Sequence, residues 1–226
     1  MIRCEGLVFE YVDGTRALNG LDLAIGPGER VGIVGRNGSG KSTLVRHWNG
    51  LLRPTAGQVV VAGVSIQGRR VAELARTVGL TFQDPDRQLF SRTCRREVAF
   101  GARNIGLRGH ALEDAVEAAL DAVGLSGSAE TNPYDLGSSR RRLLALASVL
   151  AMGTPVVVLD EPTLGLDGRE VARVEALVAG LAADGRTVVA ISHDARFVAG
   201  SFGRVVRLEG GRVVADEAPG VAFDPA

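Results

Sequence analysis

The sequence predicts an α/β fold, and three observations carry that prediction. Short apolar runs of strand length alternate with helix-like segments, as in a sheet whose strands are joined by helices. Two of these runs, "PVVVLDEP" and "TVVAISHD", are apolar without alternation, which suits strands buried on both faces of a parallel sheet. Between Asp84 and about Met152 the β-branched runs stop, so a helical block forms a second lobe.

The elements follow in order. Ile2 to Phe9 and Leu18 to Ile25 read as strands around the turn residues Asp13-Gly14. "RVGIVG" is a short apolar strand followed by a glycine-rich loop. Thr43 to Trp48 reads as a helix that Asn49-Gly50 ends. "GQVVVAG" and "VGLTFQ" are further strands, with a helix through "VAELAR" between them. In the helical block, Leu112, Val116, Leu120 and Val123 recur at near-helical spacing. Asp167 opens a helix with Val171, Val174, Val178 and Leu181 on one side. "RVVRLEGGRVVADE" reads as a hairpin around Gly210-Gly211.

Composition narrows the function classes. The 226 residues include 26 basic and 26 acidic ones, a formal net charge of zero. A general nucleic-acid binder would carry a basic excess, so no nucleic-acid partner is expected. Cys4 and Cys94 lie far apart and lack metal-ligand spacing, so reduced thiols in a cytoplasmic protein are expected. No signal pattern stands at the N-terminus. The longest apolar run, Leu143 to Met152, contains Ser148 and is well short of the ~20 residues that cross a bilayer. A soluble chain is expected, with any membrane role exerted through a partner.

"GRNGSGKST", Gly35 to Thr43, fits G-x-x-x-x-G-K-[ST] between a strand and a helix. The loop of Gly35, Arg36, Asn37, Gly38, Ser39 and Gly40 would close backbone N–H groups around phosphate oxygens, aided by the helix N-terminus. Lys41 would reach the β- and γ-phosphates, and Ser42 would hold Mg²⁺. Asp160 ends a buried strand where its carboxylate can meet the Mg²⁺ shell. Glu161 follows and could orient and activate a water. His193, at the end of "TVVAISHD", would point from the same sheet edge toward the γ-phosphate, whereas His47 and His110 have no such context and read as structural. No Asn-Lys-x-Asp stretch for reading guanine occurs, which disfavours a GTPase.

With these motifs in hand, nearly the whole chain closely resembles the ATPase subunits of ABC transporters. The resemblance rests on Gly35 to Thr43, Gln83 in "TFQDPD", "DLGSSRRRLLALASVLA" from Asp135, "VVVLDEP", "LGLD" ending at Asp167, and His193, in family order. "NGLLRPTAG", "FQDPDRQLFSRTCRREVAFGARN" and "NPYDLG" look most like the energy-coupling factor branch, whose members import vitamins or metal ions such as cobalt and nickel. The resemblance implies a P-loop NTPase (RecA-like) core of residues 1–83 and 153–226. An N-terminal antiparallel β subdomain and an inserted helical subdomain of about 84–152 complete one domain. It implies ATP and Mg²⁺ as ligands, and a peripheral place on the cytoplasmic face of the cell membrane. It also implies a second ATPase subunit, a transmembrane coupling subunit and a substrate-binding membrane subunit. A soluble ABC ATPase of DNA repair or translation is disfavoured by length.

Single residues gain roles the same way. Tyr11 matches an aromatic that stacks on adenine, although it equally suits a strand aromatic. Gln83 matches a glutamine that touches Mg²⁺ and the attacking water. Asp167 matches a loop that crosses to the partner, and it would also serve as a helix N-cap. Arg92, Arg95 and Arg96 lie where the family's lobe meets the membrane subunit, or form a solvated basic face.

The signature segment departs from the family's Leu-Ser-Gly-Gly-Gln. Here it reads Leu136-Gly137-Ser138-Ser139-Arg140. In the family this helix points its N-terminus at the γ-phosphate held by the other subunit of a head-to-tail pair. Gly137 lacks the serine hydroxyl, side chains occupy the two glycine positions, and Leu143 replaces a common arginine. Arg140 to Arg142 would still favour an anion, while Ser138 and Ser139 could instead merely cap the helix. A degenerate signature would call for a different partner chain, so a heterodimer is expected over a homodimer, and the alternative to a motor enzyme is a nucleotide-gated structural subunit of an asymmetric ATPase pair with one degenerate site.

Overall fold

The structure, a computed structural model, describes residues 1–222. It contains two sheets. Strands β1 (Ile2–Glu10), β2 (Arg16–Ile25), β4 (Ala56–Val61) and β5 (Val64–Ser65) form an antiparallel sheet in the order β2-β1-β4-β5. The second sheet has the order β10-β9-β3-β8-β7-β6, built from β3 (Arg30–Val34), β6 (Val78–Thr81), β7 (Val156–Asp160), β8 (Thr187–Ile191), β9 (Arg204–Glu209) and β10 (Arg212–Glu217). Its strands are parallel except β10, which turns back on β9 as a hairpin.

The described residues also form helices. They are α1 (Lys41–Trp48), α2 (Val71–Leu74), α3 (Cys94–Asn104), α4 (Gly109–Ala122), α5 (Ser138–Leu150), α6 (Gly168–Ala183), α7 (Ala195–Ser201) and α8 (Pro219–Ala222). Between Phe82 and Pro155 lie only helices, 3-10 turns and loops. No helix among the described residues is long and apolar enough to cross a membrane.

The uninterrupted apolar strands follow from burial on both faces. Every residue of β7 and β8 is buried. Successive side chains of a strand alternate in direction. Val156, Val158, Val189 and Ile191 therefore pack toward the antiparallel sheet and α1, with Leu44, Val45 and Trp48. Val157, Leu159, Val188 and Ala190 face the opposite core, with α3 to α7. Phe197 and Val198 of α7, an element that periodicity had not announced, belong to that second core. In α6, Val174, Val178 and Leu181 are buried as the spacing predicts, whereas Val171 at the helix start is only half-buried.

Both cysteines are buried and free. Burial pushes the Cys4 thiol up to about 12, partly offset by the Trp48 indole N–H that donates to its sulfur at 3.4 Å. Trp48 is wholly buried where α1 meets the antiparallel sheet. Trp48→Ala should therefore lower the unfolding free energy by about 3–5 kcal/mol, the usual cost of emptying a large aromatic site. Urea unfolding followed by circular dichroism checks this; Val12→Ala, at a fully exposed position, should stay within about 0.5 kcal/mol.

Candidate active site

The parallel register brings three loops to one sheet edge. Ile33 of β3 and Asp160 of β7 both lie opposite Ile191 of β8. The segments after β3, β7 and β8 therefore leave the carboxyl edge side by side, where ligands bind in sheets of this kind. They open into a cleft of about 480 Å³ lined by Tyr11, Asn37 to Thr43, Gln83, Asp160, Glu161 and His193, among others. A larger hollow of about 1110 Å³ between α4 and α6 is mostly lined by alanines, leucines and glycines and holds none of these groups.

The loop before α1 needs its glycines. Gly35 and Gly40 have φ of 144° and 101°. A side chain on Gly35 would stand 2.2 Å from the Leu208 carbonyl oxygen, and one on Gly40 2.6 Å from that of Ala17. The tip of the C-terminal hairpin backs the loop: the Gly211 N–H donates to the Ser39 carbonyl at 3.2 Å. Gly35 thus shapes the loop from behind, and Arg36 lines a shallow neighbouring hollow with Asn37 and His193. Helix α1 has no side-chain cap and no acid in its first turn, so its first amides are free for an anion.

Lys41 is buried, and its ammonium donates to the carbonyls of Gly35 at 2.6 Å and Arg36 at 2.9 Å. Burial lowers its pKa, while Glu161 and Asp160 oppose that shift. Tyr11 packs edge-on against Phe9 at 4.8 Å, and its hydroxyl shares a 2.8 Å hydrogen bond with that of Thr43. His47, one turn further on, is fully buried with Nδ1 2.8 Å from the Thr43 carbonyl, and burial pulls its pKa down. His110 is exposed beside Glu113.

The acids are the most constrained groups. Asp160 is 3% exposed, and its Oδ1 has no hydrogen-bond partner. Burial raises its pKa, and Ser42, Arg46 and Lys41 hold the rise down. Glu161 sits at φ 52°, a left-handed conformation that a residue with a Cβ adopts only when its surroundings enforce it. Its N–H donates to the Ile191 carbonyl at 2.9 Å, so β8 supplies part of that enforcement. Its carboxylate lies 3.3 Å from His193 Nε2 and accepts the His193 backbone N–H at 3.4 Å. Burial raises the Glu161 pKa, chiefly against the pull of His193.

Gly137, Ser138, Ser139, Arg140 and Asp167 lie outside this cleft. Gly137 is the N-cap of α5, with no side-chain cap, so neither serine caps the helix. All three arginines of α5 turn to their own chain. Arg140 donates to Ser128 Oγ at 2.8 Å, and Arg141 lies 3.3 Å from Asp86. Arg142 donates to the Gln83 carbonyl at 2.7 Å and the Glu161 carbonyl at 3.2 Å. Asp167 caps α6 in a reciprocal capping box with Glu170. Arg95 pairs with Glu130 at 3.0 Å and with Glu117 at 3.6 Å.

The sequence assigns Arg142 to an anion and leaves Glu170 without a role, whereas Arg142 binds the Gln83 and Glu161 carbonyls. The "DGRE" spacing does announce Glu170 as a capping-box partner, whereas nothing local marks which of three arginines binds the Gln83 and Glu161 carbonyls.

Known proteins resemble the chain in sequence and in fold. A family model described as ABC transporter matches residues 18–164, more than half of the chain. The energy-coupling factor transporter ATP-binding protein EcfA of Methanothermobacter thermautotrophicus is 39% identical over 221 residues, covering 97% of this chain and 71% of that protein. The structure of cbiO1 from Clostridium perfringens, described as part of the ABC transporter complex cbiONQ, superposes with a TM-score of 0.85 at 34% identity over 98% of this chain and 90% of that one. A dimeric ATP-binding cassette in a post-hydrolysis state with ADP and Pi gives a TM-score of 0.89 at 26% identity, covering 97% and 99% of the two chains. Two other curated relatives, 44% and 43% identical, are longer: the chain spans 41% and 38% of their lengths. The chain belongs to the ABC transporter family as an ATP-binding domain.

Proposed function

We propose that this chain binds and hydrolyses ATP to power a membrane importer of vitamins or transition-metal ions, working at the cytoplasmic face as a peripheral subunit. The observation that carries the ATPase reading is the convergence of Lys41, Asp160, Glu161 and His193 on one cleft behind a glycine loop. The importer reading rests on its likeness to EcfA and cbiO1. A second ATPase subunit, a transmembrane coupling subunit and a substrate-binding membrane subunit complete the assembly. Residues 84–152 act as its helical subdomain, and Arg92, Arg95 and Arg96 face the membrane partner.

The mechanism follows from the side chains. Lys41 exchanges two loop carbonyls for oxygens of the β- and γ-phosphates, joined by the amides of Asn37 to Thr43. Tyr11, which lines the cleft, stacks on the adenine. A Mg²⁺ ion fits the donors present: Asp160 Oδ1 is buried without a partner, and the Ser42 hydroxyl and Gln83 line the same cleft. When bound, Mg²⁺ neutralises charge that develops on the phosphates. Glu161 orients and deprotonates the attacking water, and His193 holds its carboxylate in place. Gly137 to Arg140 face the ATP of the partner subunit, and Asp167 lies in the loop that crosses to it.

The altered signature favours a heterodimer. The α5 amides are uncapped and remain able to meet an anion, but the hydroxyl at position 137 is missing. One lost hydrogen bond to a charged group is worth about 1.5–3 kcal/mol, or roughly 10- to 100-fold in rate.

Lys41→Ala should abolish tight ATP binding in equilibrium dialysis; unchanged affinity would refute the site. Glu161→Gln should keep ATP binding while slowing hydrolysis at least about 100-fold. Because the Glu161 proton is held to higher pH than usual, the base form is lost early on acidification. The acid limb of kcat/KM in the assembled complex should therefore lie above the ordinary glutamate value of about 4.3. A limb at or below that value contradicts the assignment of the base.

The partner question has its own test. Gly137 has open space around an added Cβ, so Gly137→Ser is sterically free. On the heterodimer reading the isolated chain is nearly inactive, and Gly137→Ser with Ser138→Gly raises its ATPase rate several-fold. High activity before the change, with no gain after it, would establish a homodimer.

A further inference from the structure

The head of α5 is fastened to its own subunit at two levels. Ser139 Oγ donates to Glu170 Oε1 at 3.0 Å, a charge-assisted bond between the first turns of α5 and α6. The other oxygen of that carboxylate, Oε2, accepts the Asp167 N–H at 3.0 Å. One carboxylate thus joins the second residue of α5 to the loop that precedes α6. Three residues further along α5, Arg142 donates from one nitrogen to the carbonyls of Gln83 and Glu161. Ser139 and Arg142, spaced i,i+3, share a face of the helix.

This arrangement changes the reading of the altered signature. Ser139 stands where the family has a bare glycine, which suggests obstruction. Its hydroxyl instead turns back onto Glu170, and no side chain caps the α5 amides. Arg142 acts on the most strained point of the site, the left-handed Glu161, whose N–H is already held by β8. Its half-buried guanidinium also fixes the backbone of Gln83, so both residues that would position the water share one tether.

We propose that Ser139 and Arg142 are positioning residues that make the α5 head a bracket. A displacement of the helix end that faces one ATP is carried to Gln83, Glu161 and the Asp167 loop of the other site. This rests on the head-to-tail ATPase reading given above. The bracket itself is a property of the single chain, so the two can fail separately.

Two measurements test it. In the isolated full chain, Ser139→Ala should speed hydrogen exchange at the Asp167 amide at least about fivefold, with other α6 amides unchanged. Unchanged exchange at Asp167 overturns the bracket. If exchange rises throughout the chain, Ser139→Thr, which keeps the hydroxyl, must restore protection at Asp167; failure to do so also overturns it. In the full assembly, Arg142→Met should lower kcat at least about tenfold while KM for ATP stays within about twofold, and Arg142→Lys should recover part of the loss. Ser139→Ala combined with Arg142→Met should be little worse than Arg142→Met alone, because both act through one element. Strictly multiplicative losses, or loss of ATP affinity with kcat intact, refute the proposal. A wild-type assembly that hydrolyses no ATP would sink the functional reading, and the Asp167 exchange would still decide the bracket.

Discussion

Three strands in parallel register, β3, β8 and β7, place everything else in the site. Their packing is apolar on both faces, with Val157 and Val188 on one side and Val158 and Val189 on the other. A slip of one residue would exchange those faces and carry Asp160 away from the loop after β3. The polar groups contribute little to this placement. The carboxylates and the lysine stand where apolar burial puts them, and burial in turn shifts their pKa values.

The same burial leaves the cleft electrostatically incomplete. Lys41 satisfies its ammonium with carbonyls of its own loop, and Asp160 keeps one oxygen without any partner. The α1 amides have no cap. Each of these groups forms a better bond to phosphate or to a cation than to the protein, so the fold holds unsatisfied polarity ready rather than creating it on binding. The left-handed Glu161 belongs to the same pattern, since strain persists only where neighbours over-determine it.

Much of this was legible because the relevant signals are local. The strand, glycine loop, lysine and helix from Arg30 to Trp48 follow one another in sequence, and Gly35 and Gly40 sit where an added side chain would strike backbone. "VVVLDEP" reads as a doubly buried strand because Val156 to Leu159 are apolar without alternation. What escaped depends on long-range contacts. The helix α7 is only seven residues long and is held by Phe197 and Val198 against the sheet, a contact no periodicity reveals. Arg140, Arg141 and Arg142 are equivalent in sequence, and only the helical phase of α5 sends the third toward Gln83 and Glu161. Ser139 looked like an obstruction because its acceptor, Glu170, comes from a different helix.

The hairpin that backs the glycine loop ties residues 19–39 to residues 208–211, far along the sequence. Gly211 donates to Ser39, Asn19 reaches the Gly210 carbonyl at 2.6 Å, and Gly35 rests against Leu208. A ribosome makes residues 35–43 early and residues 208–211 late. During synthesis the loop therefore lacks the surface that shapes it, and the cleft is not finished until residues 208–211 have emerged. The topology itself thus delays ATP recognition until the fold is nearly closed.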